Sequence, residues 1–248
     1  MILHIPHSSC IIPDNFRDQI VLSDKELLAE LLLMTDAFTD ELFALPEATI
    51  LQFPISRLLV DVERFSDDTK EPMSSVGMGM IYNRTAYGNA LKRELQTHER
   101  QSLVQYYATH HERLFEEVNK ELENYGQALI VDCHSFPSIP LECDMNKSIP
   151  RPDFCIGTDS FHTPDLLIQI AGQKIKEMGY TLELNQPYSG SIVPMAFYHK
   201  DRRVASIMIE VNCKLYMDEM TGVKNDTSES TQNNIQTILN SLKEFQHI

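Results

Sequence analysis

The run Ala128-Leu-Ile-Val-Asp-Cys-His134-Ser135 constrains this chain more than any other stretch. Four apolar residues lead directly into Asp132 and His134, with Gly126 before the run and Pro137 after it. A short apolar run bounded in this way reads as a buried strand. In an open sheet of parallel strands, ligands bind in the crevice beyond the carboxyl ends. An imidazole and a carboxylate two positions apart at such an edge suit metal or acid–base chemistry. The competing reading is a core histidine hydrogen-bonded to its own loop.

The flanking segments alternate in type. Residues 2–6 read as a first strand, ending at Pro6-His7-Ser8-Ser9. Ser23-Asp-Lys-Glu26 is a capping box. The helix it opens carries Leu28, Leu31, Leu32, Thr35, Phe38 and Leu42 at helical spacing and is expected to run to near Pro46. Thr49–Phe53 and Arg57–Val62 read as strands, 66–88 as a long functional loop or flap, and 89–123 as an amphipathic helix. After strand 128–132 come an irregular proline-rich region at 136–152 and a strand at Phe154–Ile156. A helix is opened by Thr163-Pro164 and closed at Gly179, and strands follow at Tyr180–Leu184 and Val204–Val211. Lys224–Asn234 reads as a polar surface loop. The last helix, beginning near Ser230, presents Ile235, Ile238, Leu242 and Phe245 on one face. The alternation predicts one α/β domain over residues 1–248, a mixed, mostly parallel central sheet with helices on both faces.

Charge narrows the partners. The chain has 36 acidic against 21 basic residues, a formal net charge of −15. That argues against a general nucleic-acid binder, which would show a basic footprint, and against docking to an anionic membrane. A small anionic ligand remains compatible, because a few arginines in a cleft set the local potential. No apolar run approaches the ~20 residues of a membrane helix, and the opening Met-Ile-Leu-His-Ile-Pro shows no leader pattern. The five cysteines are odd in number and scattered, as reduced thiols are. A cytoplasmic protein with a small-molecule substrate is expected, its oligomeric state left open. Cys133 reads as a nucleophile or, more plainly, as a packing residue.

Three candidate chemical groups fall near strand ends: His7, with His4 just before it; His134; and Glu210 in Ile207-Met-Ile-Glu-Val-Asn212. A carboxylate inside an apolar strand is costly unless paired or functional. The bland reading of Glu210 is a salt bridge to Arg57, Arg202 or Arg203. Catalytic zinc needs two imidazoles and a carboxylate, with an open position for water. A separate carboxylate then moves the water proton. His7, His134 and Asp36 (in Met34-Thr-Asp36) could supply the ligands and Glu210 the base. Asp36 reads equally as a solvated helix carboxylate, and no short metal motif such as His-Glu-x-x-His is present. Arg57, Arg64 and Arg84 could grip substrate carboxylates in a bidentate manner, or be ordinary surface partners. His98, His110 and His111 read as surface or satisfied histidines of the long helix, with His111 a candidate to face the cleft. The loops Gly77-Met-Gly79 and Tyr188-Ser-Gly190-Ser match no phosphate or dinucleotide fingerprint, and no Gly-x-Ser-x-Gly elbow occurs.

Together the motifs form a pattern. Ile5-Pro-His7-Ser8-Ser9 with Ile12-Pro13, Thr35-Asp36, Ser56-Arg57 through Asp61 and Arg64, Asp132-Cys-His134-Ser135, Pro152-Asp-Phe-Cys-Ile-Gly157-Thr158 and Ile209-Glu210-Val-Asn with Tyr216-Met217 occur in the order of one family. The chain resembles the N-formylglutamate amidohydrolase family from residue 2 to about 220. The resemblance implies a phosphorylase/hydrolase-like α/β fold related to zinc carboxypeptidases and aspartoacylases. It also implies a metal-dependent amidase acting on an N-formyl or N-acyl acidic amino acid. It makes His7, Asp36 and His134 the ligands of a divalent metal, most simply Zn2+, and Glu210 the general base. Arg57, Arg64 and Arg84 become holders of a substrate with free carboxylates, and Asp132 the support behind His134.

Two departures bear on the substrate. Where the family carries Ser-Ile-Arg-Ser, this chain has Ser135-Phe136-Pro137-Ser138. A glycine-rich basic stretch of the family is here Asn185-Gln-Pro-Tyr188-Ser-Gly190-Ser-Ile-Val-Pro194, without the basic residues. The hydrolytic core is kept while the specificity shell is altered. A carboxypeptidase-like hydrolase of a peptide or cell-wall amide, or a non-catalytic binding homologue, are therefore the alternatives.

Overall fold

Nine consecutive residues, Ala128–Phe136, are buried, and the strand they form lies inside a six-stranded sheet. The computed structural model describes residues 1–245. Its strands are β1 (Ile2–Ile5), β2 (Thr49–Gln52), β3 (Ala128–Phe136), β4 (Phe154–Gly157), β5 (Leu182–Leu184) and β6 (Val204–Asn212), in the order β2-β1-β3-β6-β4-β5. Neighbours are parallel except β4 and β6, which are antiparallel. A small hairpin, β7 (Met217–Asp218) and β8 (Val223–Lys224), lies apart. The helices are α1 (Asp14–Arg17), α2 (Asp24–Met34), α3 (Thr39–Leu42), α4 (Thr97–Tyr125), α5 (Asp165–Glu177) and α6 (Ser228–Glu244).

Strand periodicity decides which face each side chain meets. Leu129, Val131 and Cys133 of β3 and Ala205, Ile207 and Ile209 of β6 pack with α5 and α6, against Leu167, Ala171, Ile235 and Ile238. Ala128 and Ile130 of β3 and Val204 of β6 turn to the other face and meet Leu114 and Val118 of α4. Each such side chain contributes about 1.5–3 kcal/mol by leaving water. The expected α/β architecture with helices on both faces is therefore the one observed. The same alternation sends Asp132, His134 and Glu210 to the α4 face, and His134 is paired directly with Glu210 across β3 and β6.

Several boundaries differ from expectation, each for a local reason. The helix opened at Ser23 keeps its capping box but stops at Met34, and Thr35 is extended (φ −94°, ψ 132°). The Asp36 amide then donates to the His7 carbonyl (3.0 Å), and Phe38 adopts a left-handed conformation (φ 63°) before α3. Leu28, expected on the apolar face, is 68% exposed. Arg57–Val62 is no strand. The Leu59 amide closes a turn on the Ser56 carbonyl, the Asp61 amide reaches the distant Met80 carbonyl, and Lys92 Nζ donates to the Leu58 and Tyr82 carbonyls. The segment is apolar because it fills a separate cluster with Phe53, Tyr82, Leu91 and Leu103, beneath the irregular loops. The long helix begins at Thr97 rather than 89, and α6 begins at Ser228, so the expected loop 224–234 is half helix.

Candidate active site

The carboxyl ends of β1 and β3 deliver two imidazoles to one spot. His7 follows β1 past Pro6, and His134 is the seventh residue of β3; their ring centroids are 5.1 Å apart. Asp36, at the exit of α2, completes the group. Its Oδ2 lies 3.1 Å from His134 Nδ1 and 3.6 Å from His7 Nδ1, and it accepts from the Ser135 amide at 3.3 Å. The three ligand-type atoms lie within 4.8 Å of one another, and all three residues are buried.

The far nitrogen of each ring is already committed. His7 Nε2 donates to Asp61 Oδ1 (2.8 Å), and His134 Nε2 donates to Asp132 Oδ1 (3.0 Å). A carboxylate behind the ring fixes tautomer and orientation and leaves Nδ1 to face inward. His7 Nδ1 is buried without any hydrogen-bond partner. An orphaned lone pair, a second Nδ1 and a carboxylate converge there, a donor set fitted to a divalent cation such as zinc.

Electrostatics agree with that fit. Burial alone would push His134 down, but the Asp132 and Asp36 carboxylates overcome it and hold the imidazole well above its ordinary range. Burial would raise Asp36, yet the hydrogen bond from His134 and the nearby His7 imidazole bring its carboxyl well below the usual range. The cluster thus favours positive charge at its centre. Glu210, opposite His134, goes the other way. Burial pushes it up to about 8, and the Asp36 and Asp132 carboxylates add to the rise against the pull of His134. Its Oε2 is buried and unpartnered. The ion pair that would have explained Glu210 is not formed: Arg57 pairs with Asp61 and Asp36, Arg203 pairs with Asp201, and Arg202 lies 4.1 Å over the Phe161 ring.

Asp61 organises the arginines. It accepts from Arg57 Nη2 at 2.8 Å and from the Tyr82 hydroxyl at 2.5 Å, and Arg64 Nε stands 3.5 Å away. Arg57 and Arg64 line a cavity of about 220 Å3 together with His7, Asp36, His134 and Glu210. Arg84 does not. It is exposed, its stem lies against Gly77, and its guanidinium approaches the Gly88 carbonyl at 3.5 Å. His111 is likewise outside the cavity wall, bonded to the Val62 carbonyl at 2.9 Å. Cys133 points to the opposite face of β3; burial raises its thiol far above the thiolate range, so it packs.

Sequence reading did not assign roles to Asp61, Tyr82 or Arg151. Asp61 carried the same signal as Glu210, a carboxylate ending the apolar run Leu58-Leu-Val. Arg151 had none. It brings a buried guanidinium to the segment where the family's arginine is replaced by Phe136-Pro137, bonding the Pro137 carbonyl (3.0 Å) and Asp144 (2.7 Å) beneath Tyr188. Pro137, Asp144 and Tyr188 face the cavity there.

Among the described residues no helix is long and apolar enough to cross a membrane. Known proteins share this arrangement of elements. The crystal structure of an N-formylglutamate amidohydrolase from Ralstonia eutropha superposes with a TM-score of 0.86 at 23% identity, over 100% of this chain and 93% of that one. A gene product of Agrobacterium tumefaciens matches at a TM-score of 0.60 and 20% identity, over 98% and 91% of the two chains. At such identities the likeness shows the fold. In sequence, an N-formylglutamate deformylase of Pseudomonas aeruginosa is 28% identical over 205 residues, 79% of this chain and 75% of its own length. A protein of the same name from Pseudomonas putida is 24% identical over 255 residues, 98% and 91% of the two lengths. The sequence model of one family, N-formylglutamate amidohydrolase, matches residues 1–217, and this chain belongs to that family.

Proposed function

We propose that this protein hydrolyses the amide of N-formylglutamate, or of a close N-acyl amino acid, to the free amino acid and the carboxylic acid. The observation that carries the reading is the convergence of His7 Nδ1, His134 Nδ1 and Asp36 Oδ2 beside an unpaired Glu210. His7, Asp36 and His134 would hold a divalent ion, most simply zinc, with Asp61 and Asp132 fixing the two rings from behind. When bound, such an ion polarises the acyl carbonyl and acidifies water.

The chain's own groups do the rest. Glu210 takes a proton from the attacking water and delivers it to the leaving nitrogen. With no cation beside it, a Glu210 carboxyl raised to about 8 keeps its proton at neutral pH. Positive charge at the ligand cluster lowers it into the range of a working base. Arg57 and Arg64 face the cavity and pair with substrate carboxylate while Asp61 holds their other edges. Water is limited by the small enclosure and by Met34, Met73, Met78 and Met208 around it.

Chelated protein is expected to release no formate from N-formylglutamate, and zinc to restore it. Glu210→Gln is expected to lower kcat by roughly 10²–10⁴-fold, the usual worth of a general base, while still binding one ion per chain. Full turnover by a metal-free sample, or by Glu210→Gln, would sink the reading. Pro137 and Tyr188, standing where the family has basic residues, favour a second substrate class, a peptide or other amide with a larger apolar part. A panel of small peptides against N-formylglutamate separates the two, and preference for N-formylglutamate excludes the second.

A further inference from the structure

His4 puts a polar ring inside an otherwise apolar strand, Ile2-Leu-His-Ile5, and the ring is fully buried. A buried imidazole is costly unless its nitrogens find partners. Strand alternation turns His4 to the face on which Ile2 meets Leu114 and Val118 of α4. There the register of β1 and β3 pairs it directly with Asp132. His4 Nδ1 donates to Asp132 Oδ1 at 2.9 Å, and His4 Nε2 lies 2.8 Å from Nε2 of His110 on α4. The ring is thus clamped between the sheet and the helix that covers it. Glu63 Oε1 stands 3.1 Å from the same Nδ1 but forms no hydrogen bond with it.

The group that His4 clamps is the carboxylate behind a ligand-type histidine. Asp132 is fully buried, and its Oδ1 accepts from His134 Nε2 at 3.0 Å as well as from His4. Its Oδ2 accepts from the Ile192 amide at 3.2 Å. Without His4 the carboxylate keeps one imidazole and one long amide contact, and is free to turn away from His134. Asp61, behind His7, is built to the same plan. Arg57 and Tyr82 hold one of its oxygens, and the Glu63 amide joins His7 on the other at 2.9 Å. Each of the two imidazoles is therefore backed by a carboxylate, and each carboxylate is anchored by donors of its own.

We propose that His4 is a positioning residue for the reaction assigned above. It holds Asp132 so that His134 keeps a proton on Nε2 and turns Nδ1 toward Asp36 and an incoming cation. The inference rests on the ligand role proposed for His134. His4 itself is not part of the catalytic cavity wall, so it acts through Asp132 alone.

Two near-isosteric substitutions separate this role from plain packing. In His4→Asn the side-chain amide stands where Nδ1 stands and still donates to Asp132. In His4→Gln it stands where Nε2 stands and reaches His110 instead. Both are expected to lose stability in urea, because each leaves one buried partner unmet. The deciding readout uses metal-free protein with isotope-labelled histidine: exchange of the His134 Nε2 proton with water, followed by NMR. Exchange is expected to be as slow in His4→Asn as in the unaltered protein and about tenfold faster in His4→Gln, the loosening that one lost hydrogen bond allows. Zinc affinity, from competition with a chelator, is expected to fall roughly tenfold in His4→Gln and to be kept in His4→Asn. With zinc in excess, kcat for N-formylglutamate falls in His4→Gln and KM does not. Equal exchange and equal zinc affinity in the two variants overturn the proposal, as does exchange in His4→Gln as slow as in the unaltered protein. The unaltered protein is expected to show a protected proton on His4 Nδ1, and its absence overturns the proposal whatever the variants do. The exchange measurement needs neither ion nor substrate. A protein that binds no zinc therefore overturns the proposed function, while exchange still decides the part of His4.

Discussion

A single carboxylate, Asp61, accepts from His7, Arg57 and Tyr82 and faces Arg64, all from a fully buried position. Its loss leaves Arg57 and Arg64 with only their longer pairs, to Asp36 at 3.7 Å and to Glu71 at 4.0 Å. Removing one member of a buried charged network costs about 3–5 kcal/mol. Asp61→Asn is therefore expected to lose that much stability in urea. It should also weaken divalent-ion affinity by roughly 10–100-fold, as losing the support behind a ligand histidine does. The pH dependence has a definite sign. Burial raises the Asp61 carboxyl, but Arg57, His7 and Arg64 bring it well below its ordinary 3.8. A depressed carboxyl stabilises the fold above its unfolded value and loses that contribution as pH falls toward the folded one. The gap between the unaltered protein and Asp61→Asn, measured on chelated samples, should be full at pH 5–7 and narrow below about pH 3.8. A gap that widened in acid would contradict it. Lys92 has the opposite sense. Burial lowers its ammonium from 10.5 to about 7. The unfolded chain then binds the extra proton between those values, so stability attributable to Lys92 rises with pH across the interval. Lys92→Met should flatten that rise, and an unchanged slope would count against it.

Among the elements, those set by local pattern were legible and those set by distant partners were not. The strands around His134 and Glu210 followed from apolar runs alone, and α2 from its capping box. The run Leu58-Leu-Val-Asp61 has the same look as a strand, but its backbone groups are taken by a turn, by the Met80 carbonyl and by Lys92, 34 residues beyond Leu58. The end of α2 was hidden because the His7 carbonyl captures the Asp36 amide, a contact that no helical period signals. That capture also turned Asp36 from a helix carboxylate into a buried one. The same dependence on distant chain shows at the end of β4. A side chain on Gly157 would meet the Gly190 carbonyl at 2.5 Å and collide with the end of the Met208 side chain. Gly190 belongs to the loop that sets Tyr188 and Ser189 into the catalytic cavity. Gly157→Ala should therefore push that loop outward, raising KM for N-formylglutamate more than it lowers kcat. Its overpacking cost should be about 1–3 kcal/mol. Equal loss in both constants would instead place the effect on the ligand cluster.

At the scale of the whole molecule, the sheet order explains why residues so far apart in sequence meet. β1, β3 and β6 are adjacent and parallel, so their carboxyl ends bring His7, His134 and Glu210 to one edge. Asp36 and Asp61 arrive from the irregular chain that covers the edge. Folding thus gathers several carboxylates around two imidazoles, in a chain already at −15, and the proposed cation would offset part of that negative charge. An ion that binds only the folded state must raise its stability by mass action, about 2.7 kcal/mol at a hundredfold excess over Kd. For a chain of this size that is roughly 5–11 °C in melting temperature. Zinc added to chelated protein should produce such a rise, growing with the logarithm of concentration. Asp36→Asn and His134→Ala should lose most of it. A rise of equal size in Asp36→Asn would place the ion elsewhere on an acidic surface, and no rise at all would overturn the proposed cation site.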